Sequence, residues 1–162
     1  MSRERVISAQ SARDQIDDKL LSILQKTSEL SLSEIGNQLG LTKMSVSNRI
    51  RRLKNARILD RACYRVNPDE VGQDYLVICQ AICEVSGPNQ EKIAAQIARI
   101  PGVQNVYLTF GPYDILFIAR RKDKKSAKEL LYKVTRIPGI RNTLTTVPHT
   151  VMKESLELDL ET

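Results

Sequence analysis

The chain has 162 residues, of which 41% are hydrophobic, so it can form one or two small domains with apolar cores. Its net charge of +6 and pI near 9.3 permit a nucleic-acid partner without requiring one. No apolar run approaches the roughly 20 residues of a membrane span, and the first residues lack the apolar core of a signal peptide. We therefore expect a soluble, cytoplasmic protein with no membrane partner.

The three cysteines, Cys63, Cys79 and Cys83, are odd in number and lack CxxC spacing. They predict neither a disulfide framework nor a zinc site, and the sequence suggests no metal or other cofactor. Cys79 and Cys83 lie four residues apart in an apparent strand and so on one face, which favours small buried hydrophobic side chains.

The N-terminal residues precede a first predicted helix. Residues 1–13 contain three arginines and no periodic apolar pattern, which predicts a flexible terminus; a DNA-contacting arm is the alternative. Gln15–Lys26 then shows helical periodicity, with Ile16, Leu20, Ile23 and Leu24 on one face. This helix is expected to complete a three-helix domain over residues 14–60.

The segment Ser31–Leu59 predicts a helix-turn-helix. Ser31 followed by Glu34 has the spacing of a capping box, which places a helix start near Leu32. Gly40 stands where that helix needs a residue tolerant of positive φ, and Thr42 can cap the next helix. Two helices joined by a short glycine-containing turn form a helix-turn-helix.

The second of these helices separates into an apolar face and a basic polar face. Val46, Ile50 and Leu53 fall on one side and are expected to pack on the core. The other side offers guanidinium, amide and hydroxyl groups suited to base edges and phosphates. Residues 41–65 hold eight basic residues against one acidic residue, a balance of +7. A solvated basic face is the alternative. The predicted DNA-binding residues are Thr42, Lys43, Met44, Ser45, Ser47, Asn48, Arg49, Arg51 and Arg52.

The second half of the chain predicts alternating strands and helices after a linker strand over residues 61–74. Ile58–Val66 is extended in composition, and Asn67-Pro68 interrupts it. The predicted elements that follow are strand Tyr75–Val85, helix Gln90–Ile100, strands Val103–Leu108 and Ile115–Ala119, helix Lys124–Ile137 and a last strand from Asn142.

This half contains an internal repeat. Arg99-Ile-Pro-Gly-Val-Gln-Asn105 returns as Arg136-Ile-Pro-Gly-Ile-Arg-Asn142, and each copy lies between a helix and a strand. Two such halves predict the order β-α-β-β-α-β, a ferredoxin-like fold over residues 75–162 and an α+β chain overall. Helices cover only one face of that sheet. Because the strands are apolar on both sides, we expect a second subunit to cover the other face, making an obligate homodimer.

A helix-turn-helix followed by this domain resembles the Lrp/AsnC family of transcription regulators, from about Asp14 to Met152. The signposts are Ile16-Asp-Asp18, Leu39-Gly-Leu-Thr42, Arg49-Ile-Arg-Arg-Leu53, Asn67-Pro68 with Gly72, Gly111-Pro-Tyr-Asp114 and the two Ile-Pro-Gly turns. The resemblance implies a winged-helix-like DNA-binding domain, a linker strand and an effector-binding dimerisation (RAM/ACT-like) domain. It also implies dimers that assemble into tetramers or octamers, and an amino-acid effector bound between subunits.

The family's effector pocket corresponds here to a loop and the last strand. The matching residues are Gly111, Tyr113, Asp114, Thr143, Thr145 and Thr146. A carboxylate can hold an α-amino group, and hydroxyl groups can hold an α-carboxylate. The alternative is structural: Asp114 could cap backbone N–H groups of its turn, and threonines are good strand formers.

Three functions stay open at this point: a ligand-responsive regulator that binds double-stranded DNA, a ligand-independent architectural DNA-binding protein, and an amino-acid-binding subunit of an enzyme. A catalytic constellation is not apparent, so we expect a non-enzyme. His149, the one histidine, follows Pro148 near a strand end, which favours a structural or surface position over a general base.

Overall fold

A computed structural model of the chain describes residues 13–27, 29–84 and 86–160. The predicted flexible terminus, apart from Arg13, lies outside the described residues. The contacts divide the described chain into two compact units. We call the first, which contains the described residues up to Arg65 and residues 154–160, the head. We call the second, Val66–Lys153, the sensor domain, after the effector-binding role that the resemblance implies. None of the helices in the described ranges is long and apolar enough to cross a membrane.

The head contains three helices, α1 (Gln15–Lys26), α2 (Leu32–Leu39) and α3 (Lys43–Asn55). Their inner faces meet in one apolar cluster of Leu20, Leu21, Ile35, Val46 and Leu53, all buried. The predicted helix-turn-helix is therefore present, and α1 is its third helix as the periodicity indicated.

The predicted caps set the helix ends of the head. The Ser31 hydroxyl accepts the Glu34 N–H at 3.2 Å while the Glu34 carboxylate accepts the Ser31 N–H at 2.7 Å, a complete capping box. Hydrogen bonds from the Ser31 hydroxyl and the Ser31 N–H to the Glu34 carboxylate hold the pKa of Glu34 below its ordinary value. Gly40 ends α2 at φ +66, and the Thr42 hydroxyl caps α3 by accepting the Ser45 N–H at 3.2 Å.

The sensor domain has the order β1 (Tyr75–Cys83), α4 (Pro88–Ala98), β2 (Val103–Leu108), β3 (Ile115–Arg121), α5 (Lys124–Thr135) and β4 (Ile140–Thr146). The four strands form one antiparallel sheet in the order β2-β3-β1-β4. This is the predicted β-α-β-β-α-β arrangement. Both helices end two residues before the predicted limit, and β4 begins two residues earlier than expected.

Alternation along the strands separates a helix-covered face from an open face. Val77, Cys79, Phe117 and Ala119 point to the helix side and are buried in the domain core. The intervening residues form the open face. Ile78 pairs with Ile118, and Gln80 lies between Leu116 and Leu144; these side chains are half-buried or exposed within one chain.

The segment predicted as a linker strand is different in the structure. Residues 59–67 pair with no strand in the described chain, and turns follow over residues 68–72. A strand is stable only when its backbone N–H and C=O groups find a ladder partner, and composition does not supply one.

The end of the described chain belongs to the head, whereas the sequence placed all of residues 75–162 in the second domain. Gln25 holds the backbone of Leu158: its amide oxygen accepts the Leu158 N–H at 2.8 Å, and its amide nitrogen donates to the Leu158 carbonyl at 3.1 Å. Leu160 packs against the apolar cluster of the head, and Arg65 pairs with Glu154 at 3.3 Å. Leu156, Leu158 and Leu160 alternate with polar residues, but this pattern does not specify which surface the segment packs against.

Candidate DNA-reading surface and effector site

Helix α3 presents most of the predicted DNA-binding residues on its outer surface. Lys43, Met44, Asn48, Arg51 and Arg52 are exposed, and Met44 exposes 68% of its surface. A surface depression of about 460 Å³ is lined by Thr42, Met44, Ser45, Asn48, Arg49 and Arg52. Ser47 is half-buried and is not among these lining residues.

Asn48 and Arg51 form a polar pair on this surface. The Arg51 guanidinium donates to the Asn48 side-chain oxygen at 2.7 Å, across one turn of α3. The hydrogen bond limits the rotamers of both side chains. An amide beside a guanidinium offers donors and acceptors to adjacent base edges, which is the pattern that major-groove readers use.

Two other arginines of α3 are tied to α1. Asp17 is completely buried, and its carboxylate accepts from Arg49 at 2.8 Å and also from Arg52. Arg49 also contacts both oxygens of the Asp14 carboxylate, at 2.8 and 3.0 Å. This cluster, which we call the α1–α3 ion cluster, fixes the recognition helix to the rest of the head.

The ion cluster shifts the pKa values of its members. The hydrogen bond from Arg49 is the largest cause that holds the pKa of Asp14 below its ordinary value of 3.8. The same contact, together with Asp17, raises the pKa of Arg49. Arg49 is only 20% exposed at its side chain, so DNA would compete with two carboxylates for it, whereas the Arg52 side chain is 51% exposed.

In the sensor domain, the predicted effector loop connects β2 and β3. The Thr109 N–H donates to the Asp114 carbonyl at 2.9 Å and its hydroxyl donates to the Tyr113 carbonyl at 2.7 Å, closing the loop. Gly111 is exposed with φ +143, a conformation that favours glycine. Tyr113 is half-buried.

The Asp114 carboxylate joins the end of β1 to the start of α4. One oxygen accepts the Cys83 N–H at 2.7 Å, and the other accepts the Gln90 side-chain amide at 2.8 Å. The carboxylate therefore has a structural role, but it joins β1 to α4 and does not cap N–H groups of its own turn. Two of its roughly four lone-pair positions are used, so it can still accept from a bound ammonium group.

The strand threonines are divided between the two faces of the sheet. Thr143 lies opposite Ala81, which also pairs with Ile115 next to Asp114, so Thr143 and the loop share one end of the sheet. Thr145 lies opposite Cys79 and donates to its sulfur at 3.5 Å on the helix side. Thr146 points to the open face. One chain therefore does not bring all three hydroxyl groups to one place.

The cysteines and the histidine fill structural or surface positions. Cys79 is buried, as predicted, and burial raises the pKa of its thiol; Cys83 is half-buried and Cys63 is exposed. His149 is exposed, with Nδ1 at 2.8 Å from the Thr150 hydroxyl. Among the described residues, no three His, Cys, Asp or Glu side chains are grouped closely enough to hold a metal ion.

Comparison with known proteins assigns each half of the chain to a known domain family. Residues 14–54 match the AsnC-type helix-turn-helix domain, and residues 80–158 match the Lrp/AsnC ligand binding domain. The HTH-type transcriptional regulator FL11 of Pyrococcus furiosus is 30% identical over 148 residues, which cover 91% of this chain and 97% of that protein. The chain belongs to the Lrp/AsnC family. It is accordingly a DNA-binding transcription regulator of the Lrp/AsnC type.

Solved structures of similar fold confirm the predicted fold class. A transcriptional regulator of Neisseria meningitidis, determined as a complex with L-Met, has a TM-score of 0.85 at 19% identity, covering 91% of this chain and 97% of that one. Escherichia coli AsnC has a TM-score of 0.82 at 21% identity, with 92% and 99% covered. Both likenesses extend over the DNA-binding and ligand-binding halves of this Lrp/AsnC chain.

Three residues important to these Lrp/AsnC sites were not in the predicted set. Asp14 and Asp17 anchor the arginines of α3, and Gln90 binds the Asp114 carboxylate. The acidic residues of α1 were visible in the sequence as favourable charges at a helix start. Their pairing with arginines 32 and 35 positions away depends on how α1 crosses α3, which periodicity does not specify.

Proposed function

We propose that this Lrp/AsnC regulator reads a specific DNA sequence through α3 as a homodimer and that a small amino acid bound to the sensor domain controls the binding. The main support is that the two sides of α3 make different contacts. The ion cluster anchors one side of the helix, while Met44, Asn48 and Arg51 remain on the outer side, and no carboxylate of the described residues pairs with them.

In the proposed mode of reading, the outer side chains of α3 enter the major groove. Arg51 suits guanine O6 and N7, Asn48 suits adenine, and the exposed Met44 suits a thymine methyl group. Thr42, Lys43, Ser45 and Ser47 surround them with phosphate donors. Arg52 contacts a phosphate with its exposed part, and Arg49 acts mainly as a positioning residue that holds the helix angle.

The proposed effector is an α-amino acid bound at the end of the sheet that contains Asp114 and Thr143. Asp114 would accept the ammonium group, while threonine hydroxyls and N–H groups of the Gly111 loop would hold the carboxylate. The L-Met complex of the Neisseria regulator supports this ligand class, since that protein has the same fold. Thr146 faces the open side of the sheet, so its contact would be made where a partner subunit packs.

The open face of the sheet is the proposed dimer interface. Ile78, Leu116 and Ile118 lie there only half-buried within one chain, and Tyr107 and Leu144 expose 49% and 48%. A face this apolar is stabilised when another apolar face removes it from water. A dimer would present two α3 helices, matched to half-sites about one helical turn, or a multiple of it, apart.

The test of DNA reading compares Arg51→Ala with Lys19→Ala, which removes the same charge from the exposed surface of α1. A duplex selected by the protein from random sequences serves as the target. We expect Arg51→Ala to weaken binding to this duplex by about 1–3 kcal/mol and to relax the preference at one base pair. Equal weakening on all sequences would show that Arg51 contacts a phosphate.

The test of the effector is titration calorimetry against the twenty amino acids. We expect one or a few to bind and to change the affinity for DNA, because the linkage between two sites is reciprocal. Asp114→Ala and Thr143→Val should each lower the affinity for that amino acid. Gln90→Ala, which removes only the side-chain amide that binds Asp114, should lower this affinity less. Heat from none of the twenty would favour the ligand-independent architectural protein, and unchanged affinity in Asp114→Ala would show that the pocket lies elsewhere.

A further inference from the structure

The net charge of +6 conceals two strongly basic segments. Residues 120–141 contain nine lysines and arginines against Asp123 and Glu129, a balance of +7. That equals the balance of residues 41–65, and the rest of the chain, with eight basic and sixteen acidic residues, has −8. The second basic segment belongs to the sensor domain and has no part in the DNA reading proposed for α3.

Three of these cations and one tyrosine are aligned on the outer side of α5 and its C-cap residue, Arg136. Lys125, Lys128, Tyr132 and Arg136 follow one another at spacings of three, four and four residues, which places them in a line along the helix. We call these four residues the α5 row. All four are exposed, whereas the opposite side of α5, with Ala127, Leu130 and Val134, is buried in the domain core. The row is about 16 Å long at about 1.5 Å per residue.

The cations of the α5 row outnumber the carboxylates beside them. Asp123 interacts with Lys125, and Glu129 is exposed next to Lys128. In the described part of the chain, none of Lys125, Lys128 and Arg136 forms a close ion pair. The Arg136 guanidinium lies over the Tyr132 ring at 5.1 Å from its centroid, a cation–π contact that keeps it on the outer surface and preserves its charge. Lys122, Lys124 and Lys133 are exposed close by along the chain and increase the local potential.

We infer that the α5 row binds the phosphate backbone of duplex DNA without reading its sequence. Its length corresponds to the rise of about five phosphates along one strand, at about 3.4 Å each. A lipid surface fits less well, because a helix lying on a membrane inserts apolar side chains, and those of α5 are already used in the core. The inference rests on the proposed function in so far as α3 brings the DNA to the protein.

The consequence is a contribution to affinity that depends on the length of the DNA and on salt but not on sequence. Each phosphate that the row neutralises releases a counterion, so the affinity for long DNA should fall more steeply with salt than the affinity for a minimal site.

The experiment removes three charges from the α5 row of the full chain with Lys125→Gln, Lys128→Gln and Arg136→Gln together. The control removes three exposed charges elsewhere in the sensor domain with Lys92→Gln, Arg99→Gln and Lys153→Gln. Both are measured on the selected minimal duplex, on that duplex with about two further helical turns on each side, and on a long duplex of unrelated sequence. Denaturation profiles confirm folding, which exposed positions should leave unchanged.

We expect the row variant to lose about tenfold or more in affinity for both long duplexes, with the slope of log affinity against log salt smaller by about 2 to 3. Its affinity for the minimal duplex should change less than about twofold, and the control variant should bind every duplex nearly as the wild type does.

Equal losses in the two variants would overturn the inference, because only net charge would then matter, and so would an unchanged affinity in the row variant. A change of oligomer size without DNA, measured by sedimentation, would overturn it by showing that the row contacts a second copy of the chain. Failure of the proposed function looks different: the wild type would show no sequence preference, while the row variant would still lose affinity for the unrelated duplex.

Discussion

At the scale of single residues, the buried carboxylate of Asp17 determines how α3 is held. A fully buried charge needs partners, and here Arg49 and Arg52 supply them. The sequence predicted that both arginines face DNA, and their roles at an interface stay a prediction. Long arginine side chains can turn toward a neighbouring helix, and a helical wheel does not show which direction they take.

Removal of the Asp17 carboxylate should destabilise the head. Asp17→Ala removes the buried partner of both arginines, but Arg49 keeps Asp14 and Arg52 is half exposed, so we expect a loss of about 1–3 kcal/mol. Urea denaturation of the full chain, monitored by helix content, should show that the head unfolds at a lower urea concentration than in the wild type. Asp60→Asn, which removes an exposed carboxylate of the same unit, serves as the control and should leave the transition in place.

The lowered pKa of Asp14 predicts that the head loses stability in acid. Since Arg49 holds its folded pKa below 3.8, the unfolded chain binds the proton more readily. The stabilisation is complete above the unfolded value and declines as pH falls through the lower folded pKa. Measured from about pH 5 to about pH 2, the free energy of unfolding should fall less steeply in Asp14→Asn than in the wild type. Parallel profiles would contradict this assignment.

At the scale of elements, the sequence correctly predicted the helix caps, whose hydrogen bonds join residues close together in the chain. Ser31, Glu34, Gly40 and Thr42 took the cap positions that their side chains predicted. Such contacts form within four residues, so they depend little on the rest of the fold. The predicted linker strand is unpaired in the described chain for the opposite reason, because a ladder needs a distant partner.

The turn between α2 and α3 also depends on a glycine that the sequence analysis did not single out. A Cβ on Gly36 would lie 2.5 Å from the Leu41 carbonyl oxygen, which is backbone and cannot move freely. Gly36→Ala should therefore displace the turn and destabilise the head by about 1–3 kcal/mol despite the better helix propensity of alanine. Ser33→Ala, on the exposed side of α2, should have little effect in the same urea titration.

At the scale of the whole molecule, the sensor sheet shows what a single chain leaves incomplete. The repeat at Pro101-Gly102 and Pro138-Gly139 correctly predicted the order of strands and helices. Which side of the sheet each threonine faces required the actual register. Thr143 and Thr145 are on the helix side and Thr146 is on the open side, so the predicted set spans two surfaces.

The dimer prediction is tested by a charge on the open face. Leu144→Lys places an ammonium group on a side chain that is 48% exposed in one chain and would be buried in a dimer. Sedimentation at micromolar concentration should show a shift toward monomer, because burying an unpaired charge is costly. Ala95→Lys, an exposed position on α4, should sediment as the wild type does. A Leu144→Lys variant that stays dimeric would place the interface elsewhere.

The sequence by itself determined the three-helix head, the caps, the strand and helix order of the sensor domain and, through its signposts, the Lrp/AsnC family. These follow from contacts between near neighbours and from repeated patterns. Only the tertiary structure decided that Asp17 anchors α3, that Asp114 clamps β1 to α4, that residues 154–160 return to the head and that the cations of α5 form an exposed row. Each of these features depends on which surfaces contact one another. Sequence patterns show that a surface is apolar or charged, but they do not show which other surface it packs against.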